Sequence, residues 1–190
     1  DISSNTSCTP YPCQPNRFLI GASDGRGETA SGAGAASNGV IEINRDGDQF
    51  VASFVWRAEK ASSTFGSPIA VGEYAYIVNR TGVLYQLNLN TGERLAINRT
   101  NAGGIWATPI ATQEHLYLFG YRGTTSVISL SDGEEIASNR LWEAAESESG
   151  ARGGHVLYAA APASPFLLLR RGNSLFAVAV SETASESELD

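Results

Sequence analysis

The chain of 190 residues has no methionine, two cysteines and two histidines. Its only lysine is Lys60, beside twelve arginines. No apolar run approaches the roughly 18 to 20 residues that a membrane-spanning helix requires. No signal segment and no initiator methionine precede Asp1, so the chain reads as a processed mature protein or an excised piece. The formal net charge of −7 argues against a dedicated nucleic-acid binder. Catalytic signatures are missing too: there is no HExxH, no GxSxG, no GxGxxG opening a helix and no glycine-rich phosphate loop. His115 and His155 fall on or beside expected strands, and a structural or surface role is expected of each rather than a general base. Cys8 and Cys13 stand in CTPYPC with no histidine near, too few ligands for tetrahedral zinc. A short-loop disulfide in an oxidising compartment is the preferred reading, with two free thiols as the alternative.

What the chain does have is glycine, 20 residues of it, and recurring turn dipeptides between short runs of branched and aromatic residues. FGSPIAVGEYAYIVNRTGVLYQLNLNTGERL (65 to 95) aligns without a gap on WATPIATQEHLYLFGYRGTTSVISLSDGEEI (106 to 136). The offset is 41 residues for Pro68 and Pro109, for Tyr76 and Tyr117, and for Gly92 and Gly133. Self-similarity at this period, with four short strands per unit, predicts an all-β propeller of about four four-stranded antiparallel blades.

In chain order, residues 1–16 carry Pro10, Pro12 and Pro15 and read as an extended arm or linker, because proline removes ladder donors. Blades are expected at approximately 17–56, 64–99, 105–142 and 153–180, within a propeller region of 17–180. The first is expected to lack its inner strand and the last its outer one. Residues 181–190 are acidic and serine-rich and read as a disordered tail. Incomplete ends suggest the C-terminal part of a larger propeller. A complete small propeller and a ring closed by two chains are the alternatives.

The pattern SP-apolar, strand, then G-x-LY-x-L-x-x-x-TGE resembles the pyrroloquinoline-quinone-type (PQQ-like) propeller repeat. The resemblance is strong over 65–140 and weaker over the rest of 17–180. It implies an extracytoplasmic protein, similar to the non-enzymatic scaffold members of that family. The family's dehydrogenases usually carry a tryptophan after the TG turn, which docks one blade on the next. Here NTGERLAIN and SDGEEIASN lack it, and Trp56 and Trp142 are expected to take a version of that part. The alternative implied by the resemblance is a fragment of a PQQ-dependent dehydrogenase whose active residues, with PQQ and calcium, lie outside this chain. No adjacent cysteine pair is present to support it.

Turn chemistry accounts for NTGE and SDGE, so Asp46, Asp48, Asp132 and Glu134 are not read as metal ligands. Asn5, Asn79 and Asn98 open glycan-type tripeptides, a pattern common by chance. The informative charges are arginines. Every expected turn between second and third strands holds one: Arg26, Arg80, Arg122 and Arg171. Such turns share one propeller face, and carboxylates dominate the opposite one. A guanidinium presents a planar fork to carboxylate or phosphate. The expected function is therefore a non-catalytic scaffold or binding module, engaging a protein or peptide partner, acidic ones among the candidates, through this basic face.

Overall fold

Alternation of side chains along short strands builds the whole molecule. The computed structural model describes residues 8–22, 37–58, 60–63, 65–142 and 156–179. The first sheet has the order β1 (Tyr11–Gln14), β2 (Arg17–Ile20), β3 (Gly39–Asp46), β4 (Gln49–Arg57). The second runs β5 (Ile69–Val71), β6 (Tyr74–Val78), β7 (Val83–Asn88), β8 (Arg94–Arg99). The third runs β9 (Ile110–Ala111), β10 (His115–Phe119), β11 (Thr124–Ser129), β12 (Glu135–Arg140). The fourth has three strands among the described residues: β13 (Leu157–Ala163), β14 (Phe166–Arg171), β15 (Ser174–Val178). All pairings are antiparallel between chain neighbours, the meander of a propeller blade.

Each sheet is covered by its neighbour, which explains the apolar run YAYIV in β6. Ala75 and Ile77 point into a core shared with Leu19, Val40 and Trp56 of the first sheet. Tyr76 and Val78, on the other face, join Leu116, Leu118 and Ile128 of the third. A strand buried on both faces needs apolar residues at successive positions. A third, smaller core joins Phe119 and Tyr117 of β10 to Leu157, Leu169 and Phe176 of the fourth sheet. Each fully buried side chain of this size contributes about 1.5 to 3 kcal/mol.

The first sheet corrects two expectations. Tyr11–Gln14 is an inner strand, not part of an arm ending at residue 16. Pro12 is tolerated because β1 is an edge strand and because the register shifts between Pro12 and Gln14. The first blade therefore has its inner strand. Its two cysteines are not joined in a disulfide. Cys8 Sγ lies 3.1 Å from Ser63 Oγ, in the connection between the first two sheets. Cys13 Sγ donates to Arg17 O at 3.5 Å, within the first sheet. The strand carries Cys13 away from Cys8, whereas a bridge needs Cα atoms within about 7 Å and converging Cβ directions.

Candidate functional site

Antiparallel hairpins sort the turns by end. The β6–β7, β10–β11 and β14–β15 turns lie at one end of their sheets, with Arg80, Arg122 and Arg171 in or beside them. The opposite hairpin turns carry Glu73, Glu93, Glu114, Asp132 and Glu134. Asp132 Oδ1 accepts from Glu134 N at 3.1 Å, so this carboxylate serves its own turn. The Glu134 amide holds the Asp132 carboxyl below its ordinary range, helped by Ser129.

The segment from Thr100 to Ile105 threads between two of the arginine turns. Thr100 N donates to Gly82 O at 2.9 Å, and Ala102 N donates to Ser126 Oγ at 2.8 Å. Tyr121 N donates to Gly104 O at 3.0 Å. The approach is close enough that a Cβ at Gly82, whose φ is +80°, would lie 2.5 Å from Gly103 Cα. That packing leaves a cleft of about 380 Å³ between the second and third sheets. Arg80 and Arg122 enter it from the turns, Arg140 from the end of β12, and Asn101, Tyr121 and Thr124 complete its polar wall. Asn101 is itself held by the Glu135 carboxylate, which accepts from its amide at 3.1 Å.

Of the four arginines singled out in the sequence, the fold brings Arg80 and Arg122 into one cleft. Arg171 is elsewhere: its guanidinium lies 4.3 Å from the centre of the Trp142 ring, where the third and fourth sheets meet. Arg26 falls outside the described residues, as does His155. His115 starts β10 and meets Tyr117 edge-on at 6.3 Å. Asn79 and Asn98 have structural work. Asn79 Oδ1 accepts from Thr81 N and Val83 N, and Asn98 Nδ2 donates to Gly133 O at 2.9 Å. Asn5 lies outside the described residues.

Sequence reading puts Arg140 on the same basic face without singling it out, and misses Asn101 and an aromatic group beside the cleft. Tyr121, which lines the cleft, stacks toward Trp106 with ring centres 6.5 Å apart. Trp106 also meets Phe65 at 4.6 Å and Tyr158 at 5.8 Å. Phe65 and Tyr158 are both exposed. The signal was available, because Phe65 and Trp106 stand at equivalent positions of the 41-residue repeat. Arg122 lies 5.3 Å from the Tyr121 ring centre, so the aromatic and cationic groups are continuous.

A lining of three arginines with Asn101 and Thr124 suits an anion with several oxygens better than a divalent cation. Among the described residues, no three His, Cys, Asp or Glu side chains converge on one point.

No family model matches the sequence, and no curated protein does. Solved structures do resemble it in fold. The computationally designed Ika4 protein superposes with a TM-score of 0.60 at 9% identity, over 95% of this chain and 94% of that one. BamB from Moraxella catarrhalis gives 0.56 at 15% identity, over 90% of this chain and 60% of BamB. The computationally designed Ika8 protein gives 0.52 at 10% identity, over 74% of this chain and 42% of that one. The chain thus spans less than two thirds of the latter two. At these identities the likeness establishes the fold, an all-β partial propeller.

Proposed function

We propose that this chain is a non-catalytic propeller module that binds an acidic segment of a protein partner at the cleft between its second and third sheets. The observation that carries this reading is the convergence of Arg80, Arg122 and Arg140 on one cleft, continuous through Tyr121 with an exposed aromatic group. Carboxylates pair with the guanidinium forks, while Phe65, Trp106 and Tyr158 offer apolar surface to an adjoining side chain. An extracytoplasmic setting follows from the resemblance of the repeat to scaffold members of the PQQ-like family. Among the described residues no helix is long and apolar enough to cross a membrane.

The test is titration with a fluorescein-labelled octapeptide of Glu and Asp containing one Trp, followed by anisotropy at several salt concentrations. Reversing Arg80 and Arg122 to Glu should weaken binding by about tenfold or more and flatten its salt dependence. Binding should also weaken when the peptide's Trp is replaced by Ser. Unchanged affinity and salt slope in the double variant would remove the basis for this function.

A further inference from the structure

We propose that two copies of this chain close a ring, with the fourth sheet of each seated on the first sheet of the other. The argument is independent of the cleft. Within the chain, every interface between sheets uses the same two faces. The face carrying Leu19 and Val40 in the first sheet, Tyr76 and Val78 in the second, and Tyr117 and Phe119 in the third meets the following sheet. The opposite face, carrying Ala75 and Ile77 or Leu116 and Leu118, meets the preceding one. Three such contacts form, and none of the apolar cores among the described residues joins the fourth sheet to the first.

Two apolar faces therefore remain at the ends, continuous in pattern with established interfaces. Leu84 of β7, on the forward face of the second sheet, is 2% exposed. Its repeat equivalent in the fourth sheet, Leu175, is 66% exposed, and Phe166 on the same face is 45% exposed. On the backward face of the first sheet, Phe18, Ile41 and Phe54 pair across three strands and are only partly covered. Of their counterparts one sheet later, Ile77 is fully buried, Tyr85 is partly buried and Ile97, on the outer strand, is exposed. A chain that closed on itself would have buried Leu175.

The two end faces match in size. The first sheet offers phenylalanines and isoleucines, and the fourth offers a surface of small residues, Ala159, Ala161 and Ala177, around Leu168. In the internal contact between the first two sheets, Trp56, Leu19 and Val40 are set against Ala70 and Ala75 together with the larger Ile77, Leu87 and Leu89. The described residues of these two faces include no carboxylate, but each face carries an arginine: Arg170 between Ala159 and Leu175 on the fourth sheet, and Arg57, 3.5 Å from the Phe54 ring centre, on the first. The interface is heterologous, joining unlike faces. It either propagates into filaments or closes, and a two-fold axis closes it with two identical contacts and four sheets from each copy.

Sedimentation equilibrium of the 190-residue chain tests this. The wild type should be dimeric at micromolar concentration. Leu175→Glu, a change at an exposed site, should be monomeric with an unaltered circular dichroism spectrum. Phe54→Glu should also be monomeric. An equimolar mixture of the two variants should regain dimer, because one unlike-face contact remains intact between them. A wild type that stays monomeric at high micromolar concentration would overturn the proposal. So would a dimer that survives Leu175→Glu, open polymers, or a mixture that remains monomeric.

Discussion

Asn38 is the buried side chain on which the entry to the second blade depends. It is fully inaccessible, and its Oδ1 accepts from Ala22 N and Ser63 N, both at 3.0 Å. Its Nδ2 donates to Ala22 O at 3.0 Å. Asn38→Ala strands three buried backbone groups at once, each costing about 1 to 3 kcal/mol. The expected loss is roughly 3 kcal/mol or more, read from urea unfolding and as a Tm lower by about 6 to 12 °C. Tyr76 supplies a pH signature. Burial, and secondarily the neighbouring Tyr74, push its phenol up to about 12. An unfolded tyrosine titrates near 10. Below pH 10 both states keep the proton and folding gives up nothing. Between about 10 and 12 only the unfolded chain ionises, so stability falls as pH rises. Burial also raises the Cys8 and Cys13 thiols, which adds to the alkaline loss. Tyr76→Phe should therefore lessen, without abolishing, the drop in urea midpoint between pH 9 and pH 11.5. An unchanged drop would assign it wholly to other groups. The thiols give a direct check on their free state: in urea without reductant, a thiol reagent should titrate two per chain, and in the native protein both should react more slowly.

At the scale of the element, the turn after the third strand receives a side chain from the last strand of the preceding sheet. Trp56, the penultimate residue of β4, donates Nε1 to Leu89 O at 2.8 Å and lies over Gly92. Asn98, the penultimate residue of β8, donates to Gly133 O. Gly92 and Gly133 are equivalent in the repeat, so one latch is made by two different side chains. Gly92→Ala should be damaging twice over: φ is +75°, and a Cβ would stand 2.6 Å from the Trp56 ring. A left-handed alanine alone costs about 1 to 2 kcal/mol, and displacing the indole adds to it. Gly72 has φ +57° with nothing within 4 Å, so Gly72→Ala should cost only the backbone part. Equal losses of denaturation midpoint in the two variants would refute the latch. Trp142 holds the next junction, stacked on Phe176 at 6.1 Å and lying over Gly123. These contacts explain what was legible in the chain. Strand runs and glycine turns repeat because blade geometry repeats, so the second and third blades could be read directly. β1 could not, because its proline sits at an edge and a register shift, where the usual exclusion lapses. The disulfide reading failed because spacing alone does not reveal that Cys13 enters a strand. The Arg80–Arg122 pairing was half legible: the repeat placed both in equivalent turns, but Arg140 and Asn101 come from other elements brought there by the crossing segment.

For the whole molecule, stability is distributed unevenly along the row of sheets. The second sheet is covered on both faces by large cores, and the third by one large core and one smaller one. Among the described residues the fourth sheet is covered on one face only, by the smallest core, with Leu175 and Phe166 exposed. Nearest-neighbour arrays of this kind open from the end whose interface is weakest. Hydrogen exchange under dilute conditions should therefore rank the sheets. Amides of β6, β7, β10 and β11 should exchange at the rate set by global unfolding, and those of β14 and β15 faster, through local opening of the end sheet. Raising the protein concentration adds a discriminating arm. If the end face is covered by a second chain, β14 and β15 amides should gain protection by mass action, whereas β6 and β7 gain little until global opening is itself suppressed. Leu175→Glu should erase that concentration dependence while leaving the dilute-condition ranking in place. Uniform exchange across all four sheets at low concentration would instead mean that the row unfolds as one cooperative unit, with the fourth sheet held by more than the core around Leu157 and Leu169.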